Sequence, residues 1–267
     1  METVGSTNTW LLAQARDGAP AGLAVVADHQ TAGRGRLGRR WEAPPGACLL
    51  ASVLLRPVLD PDRLYLCTAA VALAAADACD RVAGVRPALK WPNDLLFGEA
   101  KLAGILAEAD PDAPGGPPGS VAVVVGIGCN VDWPGPAEAG GTCLADHGRP
   151  AGEAGGPGGP GGARRPVDRF ELLEALLERL APRVEALGSA SGRSVLAREL
   201  REHCGTLGRS VRVELPDRVL TGVAVDVTEA GHLVVDTGEG RETVAAGDVV
   251  HLRPAAGPPT EGPTEAG

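Results

Sequence analysis

The stretch His29–Trp41 reads HQTAGRGRLGRRW, and the nature of the chain turns on it. Gly33, Gly35 and Gly38 alternate there with Arg34, Arg36, Arg39 and Arg40. Glycine lets backbone N–H groups turn toward a ligand and approach it closely. Arginine adds a planar fork of donors that matches carboxylate and phosphate oxygens in pairs. Together they suit a ligand with several anionic oxygens. Just before the loop, Leu23–Ala27 (LAVVA) reads as a short apolar strand, and a strand that feeds a glycine-rich turn is a known way to hold phosphates. Composition tempers the signal, because 38 of the 267 residues are glycine and any glycine-rich string is cheap in such a chain. With like charges and little apolar surface, the loop is expected to move freely until an anion arrives.

A chain of 267 residues can hold one large domain or two unequal ones around a real core. Its net charge of −9 disfavours general nucleic-acid binding and makes the basic loop a local exception. No apolar run approaches the roughly 18 residues of a membrane span, and METVGSTNTW lacks the basic and apolar regions of a signal peptide. A cytoplasmic protein is therefore expected. Cys48, Cys67, Cys79, Cys129, Cys143 and Cys204 show no CxxC pair and no zinc spacing, so they read as small buried hydrophobes in a reducing compartment. Of 25 basic residues only Lys90 and Lys101 are lysine. A lysine kept in an arginine background points to a need for a compact ammonium, which a guanidinium cannot imitate.

Around the loop, Ser6-Thr7-Asn8 caps a helix beginning WLLAQAR. Cys48–Leu55 (CLLASVLL) reads as a buried strand and Leu64–Val82 as a core-facing helix. In Leu89–Leu96 (LKWPNDLL) the proline pins the backbone, so Lys90, Asn93 and Asp94 are presented in fixed directions at a strand edge. Lys101–Glu108 (KLAGILAE) is a further strand, with Gly104 open to close approach, and Val121–Ile127 is another, ending before Gly128-Cys129-Asn130. Residues 110–120 read as a long hairpin loop and 134–166 as a flexible insertion, neither with an assigned role. Asp168 and Glu171 start a helix that Pro182 should kink or break, and Ser194–His203 is the next helix. From Gly208 five short alternating segments suggest a small β-barrel, and 254–267 a disordered tail.

With the glycine–arginine loop, KWPNDLL and KLAGILAE in this order, joined by Ser6-Thr7-Asn8, Gln30 and the GIGCN turn, the chain resembles the biotin–protein ligases from Ser6 to about Arg253. The resemblance implies an α+β fold: a mixed sheet with helices related to class II aminoacyl-tRNA synthetases over 1–206, an SH3-like β-barrel over 207–254, and a tail over 255–267. It implies coupling of biotin to ATP as biotinyl-AMP, with Mg²⁺, and transfer of biotin to a lysine of a biotin carboxyl carrier domain. Many relatives carry an N-terminal helix-turn-helix. Because the first ligase motif begins at Ser6, a monofunctional enzyme without specific DNA binding is expected.

By the same resemblance, Ser6, Thr7, Asn8, Gln30, Gly33, Arg34, Gly35, Arg36, Lys101 and Gly104 hold biotin. Arg36, Arg39, Lys90, Trp91, Asn93, Asp94, Lys101 and Asn130 face ATP, with Asp94 near its Mg²⁺. Lys101, Arg36 and Asp94 are the catalytic candidates, Asp94 as the base that takes the acceptor lysine's proton. Trp41 reads as packing beside the ligand or as an ordinary core tryptophan, and no aromatic near Gly141–Leu144 offers a stack for adenine. Three other readings stay open: a lipoate–protein ligase of the same fold, a nucleic-acid-binding protein, and an adenylate sensor without turnover.

Overall fold

The computed structural model of the protein describes residues 1–148 and 166–252. The pleat of one strand, β4 (Cys48–Leu55), divides it into two faces. All eight residues of β4 are buried, and alternate side chains leave by opposite faces. Leu49, Ala51, Val53 and Leu55 enter the main core, whereas Leu54 joins Leu11 and Ala15 in a smaller cluster on the other side. The main core is built against α2 (Tyr65–Ala83), whose run of buried alanines gives a smooth surface, and behind it against α3 (Arg169–Leu187) and α4 (Ala190–His203). The opposite face carries α1 (Thr7–Arg16), capped by Ser6.

The strands β2 (Ala24–Ala27), β5 (Ala88–Lys90), β6 (Asp94–Phe97), β7 (Ala100–Asp110) and β8 (Ala122–Asn130) complete a six-stranded sheet in the order β2-β4-β8-β7-β6-β5. Every neighbouring pair in it is antiparallel. A parallel pair joins β1 (Thr3–Val4) to β3 (His29–Gln30) and brings the start of the chain beside the basic loop. The fold is α+β, as the sequence implies. The C-terminal segments become β9 (Ser210–Glu214), β10 (Val219–Val227), β11 (Leu233–Asp236), β12 (Arg241–Val244) and β13 (Asp248–His251), an antiparallel sheet ordered β12-β11-β10-β9-β13.

Several expectations shift. Pro182 neither ends nor breaks α3, which runs on to Leu187. The ring removes one backbone donor, the one that would reach the Glu178 carbonyl, but Leu172, Ala175, Leu176, Leu180 and Leu187 keep the helix on the core. The next helix starts at Ala190, earlier than Ser194, because the Ser189 hydroxyl accepts from Gly192 N–H at 3.0 Å. Strand β8 continues through Gly128-Cys129-Asn130, paired with Leu50-Leu49-Cys48, so GIGCN is the end of a strand and not a turn. The tail 254–267 and residues 149–165 of the Gly/Pro-rich insertion lie outside the described residues.

The long loop after β7 is held by one buried side chain. Arg56 is only 7 % exposed, and its guanidinium donates to the carbonyls of Ala15, Ala19 and Ala113 at 2.9–3.1 Å. It thus supplies positive charge at the C-terminus of α1, where the helix dipole favours it. Arg56→Met is expected to lower stability by about 3 kcal/mol, because those carbonyls lose charge-assisted bonds while staying out of water. A denaturant melt within about 1 kcal/mol of the natural chain would contradict this clamp.

All six cysteines are free and buried. Burial pushes the Cys48 and Cys67 thiols up to about 12 and Cys143 to about 11, so they pack as hydrophobes and do not react as thiolates.

Candidate functional site

The face of the sheet away from α2 is built to be bare. Beyond Ala122 and Val124, which pack with α1, the residues of β8 on this face are Gly126, Gly128 and Asn130, with Gly104 of β7 beside Gly128. One row of paired residues crosses the sheet as Leu50, Gly128, Gly104, Asp94. A Cβ on Gly128 would sit 2.8 Å from Trp41 Cδ2, so the indole lies flat on this floor only because the strand lacks a side chain there. Gly126 makes room the same way for the Asn8 amide, whose Cγ would be 2.9 Å from an added Cβ.

Lys101, on β7, reaches across the floor. Its Nζ lies 2.7 Å from Asp94 Oδ1 and 5.8 Å from the centroid of the Trp41 ring. A Cβ on Gly104 would be 3.2 Å from the same Nζ. The ammonium therefore fills a slot bounded by a carboxylate, an aromatic face and bare backbone. The Trp41 Nε1 is buried without a hydrogen-bond partner, a donor that a ligand on this floor could satisfy.

The start of α1 forms a second wall. Thr7 donates to Gln30 Oε1 through both its N–H (2.7 Å) and its hydroxyl (2.9 Å). A backbone N–H can only donate, so the oxygen of Gln30 is fixed toward α1 and its NH₂ is the group left for the cavity. Ser52 Oγ, on β4, lies 2.8 Å from Thr7 Oγ1 and 2.6 Å from Asn8 Oδ1. Asn8 Nδ2 in turn donates to Leu106 O (3.0 Å) and Glu108 Oε2 (2.9 Å). The amide of Asn8 is thus committed to the protein at both ends.

The basic loop is a small hairpin. Trp41 N–H donates to Gly33 O (3.1 Å), Gly35 N–H to Arg39 O (2.7 Å), and Arg34 bridges to Arg40. At its tip Leu37 has φ 56° and is 72 % exposed. The loop is more tethered than its composition suggests, since three arginines have partners on three elements. Arg34 pairs with Glu108 at 2.7 Å, and Arg39 pairs with Asp248 of β13. Arg36 donates to Asn93 Oδ1 (3.0 Å) and to Gly247 O (3.1 Å). Burial lowers the Arg36 guanidinium from its usual range, while Asp248 and Asp94 oppose that shift.

The third wall belongs to a segment that sequence reading left without a role. Lys101 N–H donates to Gly140 O (3.3 Å) and Thr142 N–H to Lys101 O (2.9 Å), while Asn130 Nδ2 donates to Thr142 O (2.9 Å). This lashes residues 134–142 over the end of β8, and Pro134, Gly135, Pro136, Ala139 and Gly141 line the cavity.

The enclosed space is about 400 Å³. From α1 and β3 it takes Ser6, Thr7, Asn8 and Gln30, and from the loop Arg34, Gly35, Arg36 and Arg39. From the sheet it takes Asn93, Asp94, Lys101, Gly104 and Asn130. Gly33 lines an adjoining cavity of about 580 Å³ on the other side of the loop, with Tyr65, Thr68 and Glu108. Two expected ATP contacts, Lys90 and Trp91, line neither cavity. Trp91 is fully buried and donates from Nε1 to Gly231 O (2.9 Å) and from its N–H to Thr206 Oγ1 (3.0 Å), so it ties the KWPND segment to the C-terminal part of the chain. Burial, and then the Lys90 charge, lower the pKa of His251 on β13. Sequence reading passed over Ser52, and quoted Glu108, Gly126 and Gly128 within motifs without giving them a role. The alternation Gly126, Gly128, Asn130 in an otherwise apolar strand was the available signal for the bare floor. Among the described residues no cluster of three or more metal-ligating side chains forms, and no helix is long and apolar enough to cross a membrane.

Comparison with known proteins bears on what this cavity holds. The model of the biotin/lipoate A/B protein ligase family matches residues 1–131, and that of the biotin protein ligase C-terminal domain matches 206–252. The chain is 39 % identical over 257 residues to a biotin–[acetyl-CoA-carboxylase] ligase of Mycobacterium tuberculosis, covering 93 % of this chain and 86 % of that one. It is 28 % identical to the bifunctional ligase/repressor BirA of Bacillus subtilis, over 93 % of this chain and 72 % of the relative. Among solved structures, the biotin protein ligase from Aquifex aeolicus in complex with biotin and ATP superimposes with a TM-score of 0.75 at 28 % identity, covering 95 % of this chain and 97 % of that one.

Proposed function

The chain belongs to the biotin/lipoate A/B protein ligase family, and from that premise we propose that it activates biotin with ATP and transfers it to a lysine of the carrier domain of acetyl-CoA carboxylase. In the first step a biotin carboxylate oxygen attacks the α-phosphorus of ATP. A P–O bond forms, the bond to pyrophosphate breaks, and biotinyl-AMP remains. In the second, the acceptor amine attacks the biotinyl carbonyl, AMP leaves with the bonding electrons, and the amine gives up a proton.

The observation that carries this reading is Lys101 Nζ, held 2.7 Å from Asp94 on a bare floor in a cavity that loop arginines also line. Two anions must meet in the first step, so fixed positive charge at their junction is the main requirement. A mobile ammonium can leave Asp94 for the carboxylate and follow that oxygen into the anhydride. Asp94, once released, is the group on hand to take the proton in the second step. Arg36 and Arg39 serve the phosphates, and the Gln30 NH₂ offers a donor to the biotin head. Gly33, Gly35 and Gly104 keep the backbone close to the ligand, and Asn130 holds the wall over Lys101. Ser6, Thr7 and Asn8 act mainly by fixing Gln30 and the floor.

Mg²⁺ is taken by one or two carboxylates together with substrate phosphates, and Asp94, beside Lys101, would supply one such carboxylate. When bound, the ion neutralises triphosphate charge. A net charge of −9 favours a protein acceptor over a nucleic-acid duplex, and six unpaired cysteines suit the cytoplasm.

The test supplies the purified chain with labelled biotin, ATP, Mg²⁺ and a carrier domain of acetyl-CoA carboxylase. Label is expected on one carrier lysine, dependent on ATP, with lipoate a poor substitute. Biotinyl-AMP without transfer would mark a sensor, and preference for lipoate would move the chain to the sister branch.

A further inference from the structure

Of the three anchored loop arginines, Arg34 is fixed by a carboxylate, Glu108, that is itself tied to the buried amide of Asn8. We propose that Glu108 is a positioning residue for Arg34, aiming its remaining donors at the ligand and thereby setting how long the activated acid is retained. The inference rests on the ligase reading above and deepens it.

A single carboxylate oxygen, Glu108 Oε2, receives both Arg34 NH2 (2.7 Å) and Asn8 Nδ2 (2.9 Å). The anchor cannot yield easily. Asn8 is 4 % exposed, its Oδ1 meets Ser52 Oγ at 2.6 Å, and its Nδ2 also donates to Leu106 O at 3.0 Å. Ser52 is itself 2 % exposed on the central strand β4. A buried polar chain therefore runs from the middle of the sheet through Asn8 and Glu108 to the loop.

Arg34, by contrast, is 45 % exposed at its side chain and sits on a hairpin whose own bonds are all backbone. Left alone, its long side chain would sample many directions. Binding one NH2 donor to Glu108 fixes the plane of the guanidinium and leaves its other donors for a ligand. Glu108 lines the outer cavity but not the one holding Lys101, whereas Arg34 lines both. The carboxylate thus acts through the arginine and does not itself meet the adenylate.

The experiment measures release of biotinyl-AMP by chase with unlabelled biotin and ATP, in the natural chain and in Glu108→Gln. Glutamine keeps the shape and one acceptor but loses the charge-assisted bond. Release is expected to quicken about tenfold and KM for biotin to rise in step, with kcat for adenylate formation within about twofold and the melting temperature unchanged. The deciding arm repeats the substitution in an Arg34→Ala background, where it should add nothing. Unaltered release in Glu108→Gln, or the same tenfold gain without Arg34, overturns the assignment. A natural chain that forms no biotinyl-AMP at all defeats the ligase reading instead, and is seen before any variant is made.

Discussion

Lys101→Arg is expected to form biotinyl-AMP at least about a hundredfold more slowly than the natural chain, nearly as slowly as Lys101→Ala. The surroundings of Nζ suit a compact ammonium better than a guanidinium. On one side lies Asp94 Oδ1 at 2.7 Å, on another the Trp41 ring at 5.8 Å, and beneath is Gly104, so close that even a methyl would stand 3.2 Å from Nζ. A planar fork needs in-plane partners on two edges and cannot rotate within such a slot. It would also bind Asp94 in bidentate fashion, and so hold both the cation and the base away from the ligand. Single-turnover adenylate formation measures the effect, with biotin binding by calorimetry alongside. Retention of a tenth or more of the natural rate by the arginine variant would remove Lys101 from the role given to it.

A second large effect is expected from a single methyl group. Gly128→Ala places a Cβ within the Trp41 ring's contact distance, 2.8 Å from Cδ2 and nearer still to Cε2. The strand is paired on both sides, with Leu50 and with Gly104, so the backbone has little freedom to retreat and the ring must lift. Overpacking of this kind costs about 1–3 kcal/mol; carried by the displaced ring into the biotin site, that corresponds to a rise of about fivefold to about 150-fold in KM for biotin. The ring carries the effect. With Trp41→Leu already in place, Gly128→Ala should add little, and an unchanged KM in the single variant would show that the floor is not part of the biotin site.

Local motifs made much of this molecule readable in advance. The loop, Ser6-Thr7-Asn8, Gln30, Asn93-Asp94 and Lys101 converge on one cavity because each sits at an element end whose direction local chemistry fixes. What stayed hidden depends on contacts far apart in the chain. Ser52 looked like one more residue in an apolar strand, and its meaning comes from Asn8, on α1 across the sheet. Glu108 closed a strand motif, yet its partner Arg34 lies 74 residues away. Trp91 stood inside a ligand motif but turns into the core, since its neighbours Thr206 and Gly231 come from the other end of the chain. Pro182 failed as a helix breaker for the same kind of reason: burial of the flanking leucines outweighs one lost backbone bond.

The wall made by residues 134–142 has a consequence for how this enzyme is dissected. Its lining is Pro134, Gly135, Pro136, Ala139 and Gly141, and its link to Lys101 runs through the carbonyl of Gly140 and the N–H of Thr142. Such a surface is written in peptide groups. An alanine scan would disturb it only by clash or strain at its glycines, as at Gly141, where a Cβ would collide with the Pro134 carbonyl, and no side-chain truncation would remove its link to Lys101. Ester linkages placed at Thr142 or Lys101, which delete one N–H and leave every side chain intact, are the mutations this wall would feel.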